Sequence, residues 1–202
     1  MDNSALDPRF AAHQEKKTHT MTCELILGGA RSGKSRMAER TAAASNLAIT
    51  VIATAEALDP EMAARIERHR VDRPSDWRIV EAPRGLAETL QRECALERCV
   101  VVDCLTMWLA NLMNGAEHMD APHDAGKLTE LVAEREALQS VLPTLPGHVI
   151  LVANEVGLGL VPETPLGRLF RDEAGRLNQE LAEQCERVTL VTAGLPMVLK
   201  AP

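Results

Sequence analysis

Continuous apolar runs alternate along the chain with longer segments that have the periodicity of helices. Strands that are apolar on both faces and alternate with helices are typical of a mostly parallel sheet. The pattern therefore predicts an α/β fold with a central sheet flanked by helices. Five apolar runs predict strands: CELIL, LAITVIATA, RCVVVD, GHVILVANEVG and RVTLVTAG. A sixth run, PMVLK, is a candidate for a last strand.

Helices are predicted between most of these strands. The clearest start is Asp59 followed by Pro60, because Asp caps the free N–H groups of a first turn and Pro fits the first helical position. The other helices are predicted at about 33–44, directly after Asp103, at about 127–142 and at about 166–186.

Two segments are predicted to lie outside the packed core. The segment at 114–126 is rich in Gly, Pro and Asp, so we expect a loop with solvated His118 and His123. Residues 1–20 are polar and lack the apolar stretch of a secretory signal. We therefore expect a flexible extension, then a single domain at 21–202, in a cytoplasmic protein.

Composition narrows the range of partners. The 202 residues are 46% hydrophobic, which suffices for the core of one domain. The net charge is −7 and no dense run of Lys and Arg occurs, so we do not expect nucleic acid as a partner. No apolar run reaches the ~20 residues that a membrane span needs.

The five cysteines contain no C-x-x-C pair, and their number is odd. We expect reduced and mostly buried thiols. The spacing of the three central cysteines matches no zinc pattern. The cysteines are Cys23, Cys94, Cys99, Cys104 and Cys185.

The stretch GGARSGKS at 28–35 carries the clearest chemistry. Gly28, Gly33, Lys34 and Ser35 form the pattern G-x-x-x-x-G-K-S between a predicted strand and a predicted helix, as in a P-loop. Such glycines let N–H groups converge on a phosphate at the positive end of a helix. Lys34 would then supply charge to the β- and γ-oxygens, and Ser35 a hydroxyl for Mg²⁺.

Asp103 is a second candidate, because it follows three valines at the end of a predicted strand. P-loop enzymes often place a carboxylate of the Mg²⁺ shell at such a position. The alternative interpretation is an ordinary aspartate at the end of a strand.

His69 is a third candidate. It follows Met62 by seven residues and Ile66 by three, so the three side chains share one face of the predicted helix. One interpretation is a histidine stabilised by the helix dipole near a C-terminus. The other is a nucleophile that carries a phosphoryl or nucleotidyl group beside the guanidiniums of Arg68, Arg70 and Arg73.

Five segments together are more specific than the P-loop: GGARSGKSRMAE, VIATA, LDPEMAARIERHRVDRPSDWRIVEAP, NEVGLGLVPETPLGRLFRDEAGRLNQELA and VTLVTAGLPMVLK. In order and spacing the chain resembles, over about 22–200, the bifunctional adenosylcobinamide kinase / adenosylcobinamide-phosphate guanylyltransferase family of cobalamin biosynthesis. The resemblance implies a RecA-like P-loop NTPase domain, a homotrimer and two reactions. One moves the γ-phosphoryl of ATP or GTP to adenosylcobinamide. The other passes GMP from GTP, through a histidine, to adenosylcobinamide phosphate.

The resemblance also implies roles for single residues. His69 matches the guanylylated histidine, Lys34 the phosphate-binding lysine, and Glu81 a nucleotide-contacting carboxylate. Ser35 and Asp103 would bind Mg²⁺. The implied nucleotide-binding set is Gly28, Gly29, Ala30, Arg31, Ser32, Gly33, Lys34, Ser35, Arg36, Ala53, Thr54, Ala55, Arg70, Val71, Asp72, Arg73, Glu81 and Asp103.

Two alternative functions stay open on the residues alone. A P-loop kinase of small molecules would use His69 only to bind substrate and would form no covalent nucleotide. A RecA-like assembly protein would hydrolyse nucleotide to drive a macromolecular partner. The roles of Asn154 and Glu155 are also open, since they would either contact the corrinoid or cap the following turn.

Overall fold

A seven-stranded sheet forms the centre of the molecule. The computed structural model describes residues 22–57, 59–71, 73–113 and 125–202. The extension predicted at 1–20 and the loop histidines His118 and His123 lie outside these ranges. The strands are β1 Thr22–Gly28, β2 Ala48–Ala53, β3 Arg78–Glu81, β4 Arg98–Asp103, β5 His148–Asn154, β6 Arg187–Thr192 and β7 Leu195–Lys200.

The strand order is β3-β2-β4-β5-β1-β6-β7. All neighbouring strands pair in parallel except β6 and β7, which form an antiparallel hairpin at one edge. The prediction of a mostly parallel sheet is therefore confirmed. The strand β3 was not predicted, because it has only four residues and most of them are exposed.

Six helices accompany the sheet in the described part of the chain. Asp59 caps the second one as predicted, since its Oδ1 accepts a hydrogen bond from the Met62 N–H at 2.8 Å. The third helix was not predicted; it has only eight residues. The helices are α1 Lys34–Ala44, α2 Pro60–Val71, α3 Leu86–Glu93, α4 Leu105–Met113, α5 Ala125–Val141 and α6 Pro165–Gln184.

The core has two layers, one on each face of the sheet. On one face, Ala38 and Ala42 of α1 pack against Ile26, Val101 and Ile150 of the strands. On the other face, the larger apolar side chains of α3, α4, α5 and α6 cover the same strands. Burial on both faces explains why these strands are continuous apolar runs rather than alternating ones. No helix among the described residues combines the length and apolar character needed to cross a bilayer.

The carboxyl ends of the parallel strands lie side by side at one edge of the sheet. Gly28 of β1 is aligned with Asn154 of β5, and Ala53 of β2 with Asp103 of β4. Open α/β sheets bind ligands at this edge. The fold therefore gathers these four strand ends around one candidate site.

The cysteine prediction needs one correction. The structure joins Cys23 and Cys185 as a disulfide, with their Cα atoms 4.6 Å apart, whereas Cys94, Cys99 and Cys104 are free. The two partners are 162 residues apart in the sequence, so no local spacing indicates the pair. They meet because β1 begins beside the end of α6.

A polar cluster lies at the amino ends of the parallel strands, on the side of the sheet opposite to the candidate site. His148 Nε2 lies 3.1 Å from Glu24 Oε1, and Arg187 Nε lies 3.9 Å from Glu24 Oε2. Burial lowers the pKa of His148, but hydrogen bonds with Cys99 and Glu24 raise it by a larger amount. The pKa therefore rises from 6.5 to about 9. The imidazolium is thus favoured in the folded protein.

Protonation of His148 should make stability depend on pH. Because the folded-state pKa of about 9 exceeds 6.5, the contribution is fully present below pH 6.5 and is lost as the pH rises through 9. We expect the parent to exceed His148→Gln in free energy of unfolding by about 1–3 kcal/mol near pH 6. Urea unfolding across the pH range measures this gap; a gap that does not shrink on the alkaline side would contradict the prediction.

Candidate active site

The P-loop joins β1 to α1 and depends on two glycines. Gly33 has a φ of 97°, in the left-handed region that favours glycine. At Gly28, an added Cβ would lie 2.7 Å from the Val191 carbonyl oxygen, which belongs to the backbone of β6. Lys34 is 9% exposed, and its Nζ donates to the Gly29 carbonyl at 3.4 Å. The ammonium group therefore points back into the loop.

The turn of the hairpin formed by β6 and β7 packs against this loop and donates a hydrogen bond to it. Its turn residues Ala193 and Gly194 have φ angles of 53° and 77°. The Gly194 N–H donates to the Ser32 carbonyl at 2.8 Å, and a Cβ on Gly33 would lie 3.3 Å from the Gly194 Cα. The loop is thus held between α1 and the hairpin before any anion binds.

A cavity of about 200 Å³ opens in front of the P-loop. Its walls come from the loop, the carboxyl ends of β2, β4 and β5, and one face of α2. The polar and charged side chains at its wall are Lys34, Ser35, His69, Arg73, Asp103 and Asn154. The structure therefore brings the predicted P-loop, the predicted carboxylate and the predicted histidine into one pocket.

Asp103 lies between two partners in this pocket. Ser35 Oγ donates to Asp103 Oδ1 at 3.4 Å, and Arg73 Nη2 donates to Asp103 Oδ2 at 2.6 Å. The side chain of Arg73 is only 6% exposed. A guanidinium and a hydroxyl thus fix both carboxylate oxygens at the end of β4.

Glu39 is a site residue that the sequence patterns did not predict. Glu39 Oε1 lies 3.5 Å from Arg73 Nε, so Arg73 pairs with two carboxylates. Burial raises the pKa of Glu39, Arg73 opposes this change, and Asp103 adds to it. The available signal was its spacing, since residues four apart on α1 share a face and Glu39 follows Ser35 by four.

His69 reaches the pocket through the amphipathic face of α2. Met62, Ile66 and His69 all line the cavity and are half-buried, as their spacing predicted. Arg68 and Arg70, on either side of His69, are exposed. The imidazole therefore lines the same cavity as Lys34 and Asp103.

A larger hollow of about 960 Å³ adjoins the first. The two share wall residues Ala53, Ile66 and Arg73. Arg70, Val71 and Glu81 line only the larger one, together with Trp77. Part of the nucleotide-binding set implied by resemblance thus lines the smaller cavity, the phosphate pocket, and part lines the adjoining groove.

Some residues of that set line neither cavity. Thr54 is fully buried; its Oγ1 donates to the Cys104 carbonyl at 2.7 Å and accepts from the Cys104 N–H at 2.9 Å. This side chain joins the ends of β2 and β4, while Ala53 and Ala55 beside it face the cavity. Arg31 and Arg36 are exposed. Asp72 lies outside the described residues.

Fold and site together define the class of this protein. The P-loop ends β1, the carboxylate Asp103 ends β4, and β5 lies between the two strands. A mostly parallel sheet with this arrangement, flanked by helices, is a RecA-like P-loop NTPase fold. The predicted fold class is confirmed.

Comparison with known proteins narrows the class to one family. Residues 24–199 match the family described as cobinamide kinase / cobinamide phosphate guanyltransferase. The chain belongs to this family.

Curated relatives share the length of the chain as well as its sequence. The bifunctional adenosylcobalamin biosynthesis protein CobP of Pseudomonas aeruginosa is 55% identical over 88% of this chain and 96% of its own. The bifunctional adenosylcobalamin biosynthesis protein CobU of Escherichia coli is 41% identical over 87% of this chain and 98% of its own. The Salmonella typhimurium protein of the same name is 38% identical over the same shares.

Solved structures show weaker similarity. The flagellar accessory protein FlaH from Methanocaldococcus jannaschii has a TM-score of 0.47 and 14% identity, covering 89% of this chain and 78% of its own. The RadB recombinase has a TM-score of 0.44 and 15% identity, covering 84% and 73%. Similarity at this level says nothing about ligands or activity.

The buried position of Arg73 predicts a large effect on stability. Removing one partner of a buried ion pair leaves uncompensated charge, here on Asp103 and Glu39. We expect Arg73→Met to lower the free energy of unfolding by about 2–4 kcal/mol without nucleotide. Arg40→Met, at an exposed position of the neighbouring helix α1, should change it by less than about 0.5 kcal/mol. Equal urea midpoints for the two variants would show that Arg73 does not stabilise this site.

Proposed function

We propose that this protein phosphorylates adenosylcobinamide with ATP or GTP and then transfers GMP from GTP, through His69, to adenosylcobinamide phosphate. The product of the second step is adenosyl-GDP-cobinamide. One observation carries the proposal: a phosphate-binding loop and a histidine on a separate helix face the same cavity. Membership of the family supports both reactions.

In the first step, the P-loop holds the nucleotide phosphates. The backbone N–H groups after Gly28 and the positive end of α1 suit a β-phosphate. Lys34, pointing into the loop, supplies charge for the β- and γ-oxygens. The γ-phosphoryl then moves to the hydroxyl of the aminopropanol arm of adenosylcobinamide.

Mg²⁺ is the cofactor we propose, held by Ser35 and Asp103. The donors fit this ion, since a hydroxyl and a carboxylate are hard oxygen ligands, and Mg²⁺ commonly takes one or two carboxylates plus substrate phosphates. Both oxygen atoms face the same pocket, 3.4 Å apart. When bound, the ion neutralises charge on the β- and γ-phosphates.

In the second step, an imidazole nitrogen of His69 attacks the α-phosphorus of GTP. A P–N bond forms, the bond between the α-phosphorus and the bridging oxygen breaks, and pyrophosphate leaves; the imidazole proton passes to water. A phosphate oxygen of adenosylcobinamide phosphate then attacks the same phosphorus and frees His69. The guanidinium of Arg73 lies in the same pocket and stabilises the negative charge that develops on the α-phosphate in this step.

The adjoining groove suits the nucleoside part of GTP. The groove contains a carboxylate, Glu81, and an aromatic ring, Trp77. A carboxylate accepts hydrogen bonds, and guanine presents an exocyclic amino donor. We therefore propose that Glu81 contacts the guanine base and that Arg70 and Val71 border it.

The homotrimer implied by the resemblance is also part of the proposal. Leu158 and Leu160 are 85% and 95% exposed, and Leu195 and Met197 of β7 are largely exposed as well. Exposed apolar surface on this scale often marks a protein interface. We expect light scattering to give a mass of about three times the 22.0 kDa of the chain. A monomeric mass at micromolar concentration would contradict the trimer.

The covalent step has a direct test. Purified protein is incubated with Mg²⁺ and GTP labelled at the α-phosphate, then denatured. We expect the parent to carry acid-labile, base-stable label, as a phosphoramidate does, and His69→Ala to carry none. His148→Gln serves as the matched control, because His148 lies at the opposite edge of the sheet and should keep the label.

A parallel reaction uses ATP labelled at the γ-phosphate with adenosylcobinamide as acceptor. His69→Ala should retain this transfer, since the first step does not use the histidine. If the parent takes up no label from α-labelled GTP but still phosphorylates adenosylcobinamide, the function is that of a kinase alone. Failure of both transfers, with phosphate release stimulated by a macromolecule, would favour a nucleotide-driven assembly protein.

A further inference from the structure

We propose that the side chain of Asn154 binds the acceptor hydroxyl at the γ-phosphate and so positions it for the kinase step. This inference rests on the proposed function and adds to it a residue at the acceptor end of the pocket. The segment around Asn154 has no role in the mechanism described so far.

The backbone of Asn154 is fixed on several sides. Its N–H donates to Thr106 Oγ1 at 2.6 Å, and its carbonyl accepts from Asn178 Nδ2 at 3.4 Å. In the sheet it is aligned with Gly28, and the next N–H, that of Glu155, donates to the Gly28 carbonyl at 3.1 Å. Asn154 is therefore held level with the first residue of the P-loop.

The side chain of Asn154 has an oxygen in need of a donor. Asn154 lines the phosphate pocket, and its Oδ1 is buried without a hydrogen-bond partner in the described part of the chain. Leaving a buried acceptor unsatisfied is costly, because the oxygen has given up its hydrogen bonds with water and gained none in return. Buried oxygen atoms in folded proteins nearly always have a hydrogen-bond donor. A bound ligand that donates a hydrogen bond to Asn154 Oδ1 would supply it.

Glu155, the next residue, does not share this position. Its Oε1 accepts from the Gly157 N–H at 2.5 Å, so the carboxylate closes its own turn. Glu155 also lines a different hollow, with Leu27 and Val188 on the opposite face of the sheet. Of Asn154 and Glu155, Asn154 is therefore the one that lines the phosphate pocket.

The chemistry of the kinase step suits an amide at this place. The acceptor oxygen attacks the γ-phosphorus, the bond between that phosphorus and the bridging oxygen breaks, and the nucleoside diphosphate leaves. Oδ1 accepts a hydrogen bond from the acceptor hydroxyl and so orients its lone pair toward phosphorus, while the proton is released to water. An amide takes up no proton at neutral pH, so its contribution is orientation.

Asn154 and His69 border the pocket from different elements. Asn154 ends β5, which pairs with the P-loop strand β1, whereas His69 lies on α2, which follows β2. The proposal assigns Asn154 to the terminal phosphate above the P-loop and His69 to the α-phosphate. Loss of Asn154 should therefore impair one transfer and spare the other.

The test compares the two transfers in the same variants. Asn154→Ala should lower kcat for transfer from γ-labelled ATP to adenosylcobinamide about 100-fold. Asn154→Asp should lower it at least as much, because it adds negative charge beside a phosphate. In Asn154→Ala, which adds no charge, labelling of His69 by α-labelled GTP should stay within about threefold of the parent, which also shows that this variant folds. The matched control is Asn46→Asp, the same change at an exposed turn after α1.

Two results would overturn the role of Asn154 alone. One is kinase turnover close to that of the parent in both variants. The other is an equal fall of phosphorylation and of His69 labelling, which would indicate a purely structural residue. If the parent itself transfers no γ-phosphoryl group to adenosylcobinamide, the proposed kinase function fails and this inference fails with it.

Discussion

The parallel alignment of β1 with its two neighbours is the constraint on which the site depends. Gly28 is aligned with Asn154 of β5 on one side and with Val191 of β6 on the other. A slip of one residue would turn every side chain of a strand to the opposite face of the sheet, where a different layer of helices packs, so the packing of the two layers fixes the register. The P-loop consequently starts at a fixed level, between the Asn154 side chain and the hairpin that supports Ser32 and Gly33.

Arg73 links parts of the molecule that are distant in the chain. It follows α2, pairs with Asp103 at the end of β4, and reaches Glu39 on α1. A buried guanidinium between two carboxylates compensates charge that would otherwise be costly in this half-enclosed pocket. The position of the helix that carries His69 and the electrostatics of the phosphate pocket therefore depend on one side chain.

In the function we propose, one P-loop serves two transfers at different phosphorus atoms. Backbone N–H groups and a helix terminus hold a phosphate whichever of its neighbouring bonds breaks. What distinguishes the reactions is the acceptor, and the pocket offers two approaches, one beside Asn154 and one beside His69. The larger groove next to His69 adds a place where a base can be recognised, which a simple phosphoryl transfer does not require.

The sequence by itself determined the features that depend on short spacings. The P-loop, the Asp59 cap, the face shared by Met62, Ile66 and His69, and the continuous apolar strands all follow from local patterns that the structure confirms. The strand β3 and the helix α3 were not predicted, because segments of four and eight residues carry too little periodic signal.

Only the tertiary structure decided the rest. The Cys23–Cys185 pair, the ion pairs of Arg73 and the alignment of Asn154 with Gly28 join residues far apart in the chain. Such contacts arise from strand order and from helix placement across the sheet, and no pattern within a single segment encodes them.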